Sequence, residues 1–132
     1  MPLNDAHLRQ VYLKPGEFYV GDVASRVTTI LGSCVSVTLH HPGSGIGAIC
    51  HAVMPENRER SHASRRGVQD PKYVDAAIRC LLDKMTRLGI LPDELEVKLF
   101  GGATMITSDR RGMREDSVGT QNIAMAEQVL KT

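Results

Sequence analysis

The most constraining feature of this 132-residue chain is a pair of alternating apolar runs, Val35 to His40 and Ile46 to Met54, on either side of His41-Pro42-Gly43-Ser44-Gly45. Side chains alternate between faces along a strand. Two such runs joined by a Gly/Pro loop therefore predict an antiparallel hairpin with one apolar face. With residue 40 across from residue 45, the apolar partners are Val35 with Cys50, Val37 with Ala48 and Leu39 with Ile46. The other face then carries Cys34 against His51, Ser36 against Ile49 and Thr38 against Gly47. A slip of one residue would mix the faces, which supports this register.

The rest of the chain is read around that hairpin. Residues 10–13 and 17–20 look like short strands about the Lys14-Pro15-Gly16 turn, and the β-branched run from Val27 to Ile30 reads as another strand. Residues 56–70 form a polar, Arg-rich loop. Asp70-Pro71 predicts a helix start, with Asp70 as N-cap and Pro71 at the first position. Val74, Ala77, Ile78, Leu81, Leu82, Met85 and Leu88 follow at helical spacing, and Gly89 is a C-terminal cap. Leu95 to Phe100 reads as a strand ending at Gly101-Gly102, residues 106–118 as irregular, and Gln121 to Leu130 as a second amphipathic helix. Strands, helix, strand, helix is the order of a layered α+β domain rather than a doubly wound sheet. One domain over residues 1–132 is expected.

Composition narrows the function classes. Sixteen basic and 15 acidic residues leave a formal net charge of +1, so nothing directs the chain to nucleic acid or a membrane surface. Aromatics are 4% with no Trp, which disfavours base-stacking platforms. No stretch approaches transmembrane length, and the polar N-terminus has no signal-type apolar run. Cys34, Cys50 and Cys80 are too few and too irregular for a disulfide framework, which points to free thiols in a reducing cytoplasm.

The chemistry concentrates on the mixed face of the hairpin. Directly opposed residues have Cβ atoms roughly 4.5–5.5 Å apart, which brings a Cys34 thiol within reach of a His51 imidazole. Such a pair can form thiolate and imidazolium, the reactive state of cysteine, and an imidazolium beside Cys34 is expected to lower its pKa. Thr28, six residues before Cys34, is placed to hold the second nitrogen of His51. Backbone amides at Ser33 and Cys34 are candidates for an oxyanion hole. Cys50 points to the apolar face and reads as structural. A zinc cluster of Cys34, Cys50, His51, His40 and His41 fits poorly, because adjacent Cys50 and His51 project to opposite faces, and no metal is expected. Gly101-Gly102 lacks the Lys-Ser/Thr of a phosphate loop and reads as a turn. Arg58, Arg60, Arg65 and Arg66 are candidates for docking an acidic substrate, against the plainer reading of a solvated loop.

Taken together, Leu31-Gly32-Ser33-Cys34-Val35, Gly45-Ile46-Gly47, His51, Met54-Pro55, Tyr73 to Ile78, Lys98 to Met105, and Val118-Gly119 with Asn122 resemble the chemoreceptor glutamine deamidase family, CheD. The resemblance covers nearly the whole chain. It implies a Cys-His-Thr triad of Cys34, His51 and Thr28, with Thr29 the neighbouring alternative. It implies conversion of receptor Gln to Glu through a cysteine thioester, glutamyl methyl ester hydrolysis as a second activity, and no cofactor. The implied partners are methyl-accepting chemoreceptors and the CheC phosphatase, in the cytoplasm. The implied fold is a sandwich of mixed β-sheets flanked by helices, similar to the catalytic domain of cytotoxic necrotizing factor. Family members usually continue past the last helix, so either a chain truncated at Thr132 or a short member of the family is expected. A different class, a non-catalytic module that docks on receptor or CheC, is kept beside the enzyme reading.

Overall fold

The computed structural model describes residues 7–56, 70–103 and 117–131. Among these residues six strands are formed: β1 (Arg9–Tyr12), β2 (Phe18–Gly21), β3 (Ser25–Thr28), β4 (Val35–His41), β5 (Ile46–Cys50) and β6 (Glu96–Gly101). Two α-helices among them, α1 (Val74–Arg87) and α2 (Val118–Leu130), give an α+β layout. β2, β5, β4 and β6 make an antiparallel sheet in that order, while β1 and β3 make a separate parallel pair. The two strands beside the Lys14-Pro15-Gly16 turn thus do not pair with each other; each goes to a different sheet.

The hairpin forms with the expected faces but not the expected partners. Leu39 lies opposite Ala48, Thr38 opposite Ile49 and His41 opposite Ile46, and the Val35–Ala52 bridge continues the same register. Every partner is shifted by two residues. A shift of two leaves each side chain on its own face, so the apolar pattern could not distinguish the two registers. The position of the turn decided it: Gly45, at φ +78°, donates to the His41 carbonyl at 2.9 Å, so the four-residue loop spans 42–45 rather than 41–44.

Val35, Val37, Leu39, Ala48, Cys50 and Ala52 form the sheet side of the core, packed with Val74, Ala77, Ile78, Leu81 and Met85 of α1 and Ala126 of α2. The α1 start differs from expectation. Its N-cap is Tyr73, whose side chain makes no capping bond. Asp70 instead shapes the preceding turn, accepting from the Lys72 amide at 3.0 Å, and the Met54 carbonyl receives the Val74 amide at 2.8 Å. Tertiary stitching to the end of the β5 segment sets the helix start here. At the other end Gly89, at φ +83°, turns the chain so that the Ile90 amide reaches the Met85 carbonyl at 2.9 Å, which is the expected glycine cap. Helix α2 begins three residues earlier than expected, because Ser117 caps it by accepting from the Thr120 amide at 3.2 Å.

Candidate active site

His51 is held by two separate segments. Its amide donates to the Glu17 carbonyl at 3.0 Å and its carbonyl accepts from Gly16 at 2.8 Å, so the Lys14–Glu17 turn grips the backbone. Its ring, only 2% exposed with the rest of the residue, meets the Thr29 hydroxyl through Nδ1 at 2.7 Å. The same hydroxyl donates to the Leu13 carbonyl at 2.8 Å. A hydroxyl has one proton and a carbonyl can only accept, so that proton is committed to Leu13. Neutral His51 must therefore donate from Nδ1 to Thr29 Oγ1. Its lone pair lies on Nε2, which is buried and has no hydrogen-bond partner among the described residues. This is the tautomer a general base needs, and it is set by Leu13 and Thr29, the residues just past β1 and β3, acting together.

The hydroxyl on the ring belongs to Thr29, which corrects the expectation placed on Thr28. β3 ends at Thr28, whose carbonyl is taken by the Leu13 amide at 2.9 Å. The threonine beyond the last ladder residue is the one turned over the sheet to His51.

Cys34 sits one residue before β4, half-buried and with a free thiol. The carbonyls around it are all used. Gly32 accepts from the Ala103 amide at 2.9 Å, Cys34 from the Gly102 amide at 2.9 Å, and Ser33 from Asn122 Nδ2 at 3.0 Å. The Ser33 and Cys34 amides, by contrast, donate to no backbone carbonyl among the described residues. Gly101, at φ +93°, has no room for a Cβ, which would run into the Cys34 carbonyl oxygen. The turn after β6 is therefore a close backbone cradle for the cysteine, and not a phosphate loop.

The two-residue register shift places Ser36, rather than Cys34, across from His51. Cys34 and His51 remain on one face as diagonal neighbours, roughly 7–8 Å apart in such a ladder. No hydrogen bond joins the sulfur to Nε2. Burial consequently governs both groups: it pushes the Cys34 thiol up, against a smaller pull downward from its own amide, and pushes the His51 imidazole down. At rest the pair is thiol and neutral imidazole, which reverses the expected lowering of the Cys34 pKa. Cys50 lies on the core face and burial lifts it to about 11, as suits a structural thiol.

Thr29 and Ser36, which flank His51, line a cleft of about 370 Å³ together with Thr28, Leu31, Ile49 and Phe100; Cys34 and His51 themselves do not line it. The Ser36 hydroxyl is buried there without a partner among the described residues. Arg58, Arg60, Arg65 and Arg66 lie outside the described residues.

Asn122 is the site residue that element reasoning passed over. It is fully buried on α2 and donates to both the Ser33 and Val53 carbonyls, at 3.0 and 2.9 Å. A signal existed: Asn122 and Ala126 share a helix face at a spacing of four, and an Asn on a buried face requires partners.

An α+β domain carrying a free cysteine and a threonine-tethered histidine on one sheet face is the class these features define. The family model described as CheD chemotactic sensory transduction matches residues 53–132. A "Probable chemoreceptor glutamine deamidase CheD" of Maridesulfovibrio salexigens is 40% identical over 127 residues, covering 96% of this chain and 75% of that protein. "Probable chemoreceptor glutamine deamidase CheD 2" of Geobacter sulfurreducens is 43% identical over 127 residues, covering 93% and 70% respectively. The chain belongs to the CheD family.

Proposed function

We propose that this protein deamidates glutamine side chains of chemoreceptors, with Cys34 as nucleophile, His51 as base and Thr29 as the residue that holds the base. The observation that carries the reading is the committed Thr29 hydroxyl, which leaves the His51 Nε2 lone pair bare on the face that carries Cys34. Both groups rest neutral, so the reaction begins with proton transfer rather than from a standing ion pair. Substrate entry through the cleft brings the thiol to Nε2, as active-site hydrogen bonds commonly tighten in the substrate complex. His51 takes the thiol proton while the sulfur attacks the carboxamide carbon. The Ser33 and Cys34 amides receive the oxyanion. His51 returns the proton to the leaving nitrogen, and ammonia departs from a thioester on Cys34. Water, deprotonated by His51, then hydrolyses the thioester to Glu and restores the thiol. A glutamyl methyl ester fits the same steps with methanol leaving. Each conversion of Gln adds a negative charge to the receptor, which changes repulsion between its helices.

The missing sulfur–imidazole hydrogen bond favours a second reading, a module that docks on receptor or CheC without chemistry. The two separate in one assay: a purified chemoreceptor cytoplasmic fragment is incubated with wild type and Cys34→Ala, and ammonia and Gln-to-Glu conversion are followed, the latter by mass spectrometry. Conversion by wild type alone is expected. Binding without conversion would leave the docking reading.

A further inference from the structure

Three consecutive carbonyls precede or carry the nucleophile, and each is fixed by a different donor. Backbone amides hold Gly32 and Cys34, whereas the middle one, Ser33, depends on a side chain, Asn122. In a trans peptide the C=O of one residue and the N–H of the next point in opposite directions. The bond from Asn122 to the Ser33 carbonyl therefore sets the plane of the peptide that contains the Cys34 amide, and turns that N–H away from α2. The same Nδ2 donates to the Val53 carbonyl, two residues past His51. One fully buried side chain thus ties the approach to Cys34 to the chain leaving His51, across 89 and 69 residues of sequence.

We infer that Asn122 is a positioning residue for the deamidation: it aims the Cys34 amide at the oxyanion. The inference rests on the deamidase reading above. The amide so fixed belongs to the residue that carries the sulfur. An N–H there lies next to the carbonyl oxygen of an acyl group that the sulfur attacks.

The test compares wild type and Asn122→Ala on a Gln-bearing chemoreceptor fragment. In a folded variant kcat should fall roughly 10- to 100-fold, less than the roughly 100- to 1,000-fold cost of removing an oxyanion donor outright, with KM within about twofold. Alkylation of Cys34 by iodoacetamide develops no oxyanion, so its rate and pH profile should match wild type. An unchanged kcat overturns the inference. A parallel fall in alkylation overturns it as well, because Asn122 would then only be holding the fold. Where Asn122→Ala does not fold, wild type decides. A peptide carrying an aldehyde in place of the Gln carboxamide adds to Cys34: the S–C bond forms, the carbonyl π bond opens onto oxygen, and that oxygen takes the thiol proton. The Cys34 amide proton should shift downfield in the adduct, and the Asn122 side-chain amide protons should exchange slowly. An unmoved Cys34 amide or fast-exchanging Asn122 protons overturn the inference. Wild type that turns over no Gln sinks the deamidase reading and this inference together; active wild type with an equally active Asn122→Ala sinks this inference alone.

Discussion

The three cysteines differ in environment, and their environments assign their roles. Cys34 is half-buried beside an unpartnered imidazole nitrogen, whereas Cys50 is sealed in the core. For Cys50 burial raises the folded-state pKa from 9.0 to about 11. A thiol whose pKa is raised on folding contributes its full stability below the unfolded value and loses it as pH climbs toward the folded one. Stability should therefore decline between pH 9.0 and about 11, by about 3 kcal/mol from this group on the linkage arithmetic. Urea denaturation across that range should show a shallower alkaline slope for Cys50→Ala than for wild type, the remainder coming from Cys34 and Cys80, which burial also raises. Equal slopes would mean that Cys50 does not ionise on unfolding in this range. His51 has the opposite sign. Burial lowers it below 6.5, so the folded base stays unprotonated at that pH, and stability falls as pH drops below it because the unfolded imidazole takes up a proton.

Turns, more than strands, place the site. The Lys14–Glu17 turn grips the His51 backbone, and the turn after β6 cradles Cys34. Gly101 and Gly89 both have positive φ, +93° and +83°, but they differ in surroundings. A Cβ on Gly101 would collide with the Cys34 carbonyl, while one on Gly89 meets nothing within 4 Å. Gly89→Ala should cost only the backbone strain, about 1–2 kcal/mol, and leave turnover intact. Gly101→Ala adds a displacement of the Cys34 turn to a similar strain, about 1–3 kcal/mol, and should lower kcat as well as the melting temperature. Thermal melts with parallel deamidation assays separate the two; wild-type kcat in folded Gly101→Ala would show that the cradle is not needed for turnover.

Over the whole molecule, much of this architecture was legible in the sequence, and the losses have a common cause. Periodicity identified both faces of the hairpin, the α1 core stripe from Val74 to Met85 and the Gly89 cap, because each depends on local side-chain spacing. The hairpin register slipped by two, since an even shift preserves every face. Thr28 was preferred over Thr29 because the end of β3 is decided by pairing with β1, a parallel partner that no local pattern reveals. Asn122 bonds to Ser33 and Val53 from far along the chain, so its role is readable only once α2 is docked on the sheet. The reversed Cys34 pKa follows from the register as well: a diagonal histidine that burial keeps neutral has no charge with which to stabilise a thiolate.

The central claim is that Thr29 acts through His51, and His51 on Cys34, as one unit. A double-mutant cycle tests it: kcat/KM for Gln deamidation in wild type, Thr29→Val, His51→Ala and the double variant, each checked for folding. Loss of a general base should lower kcat/KM on the order of 10²–10⁴-fold. Thr29→Val alone should account for part of that loss, and in the His51→Ala background it should cost nothing further. Independent, multiplicative losses would contradict the account, as would a Thr29→Val variant with wild-type kcat/KM.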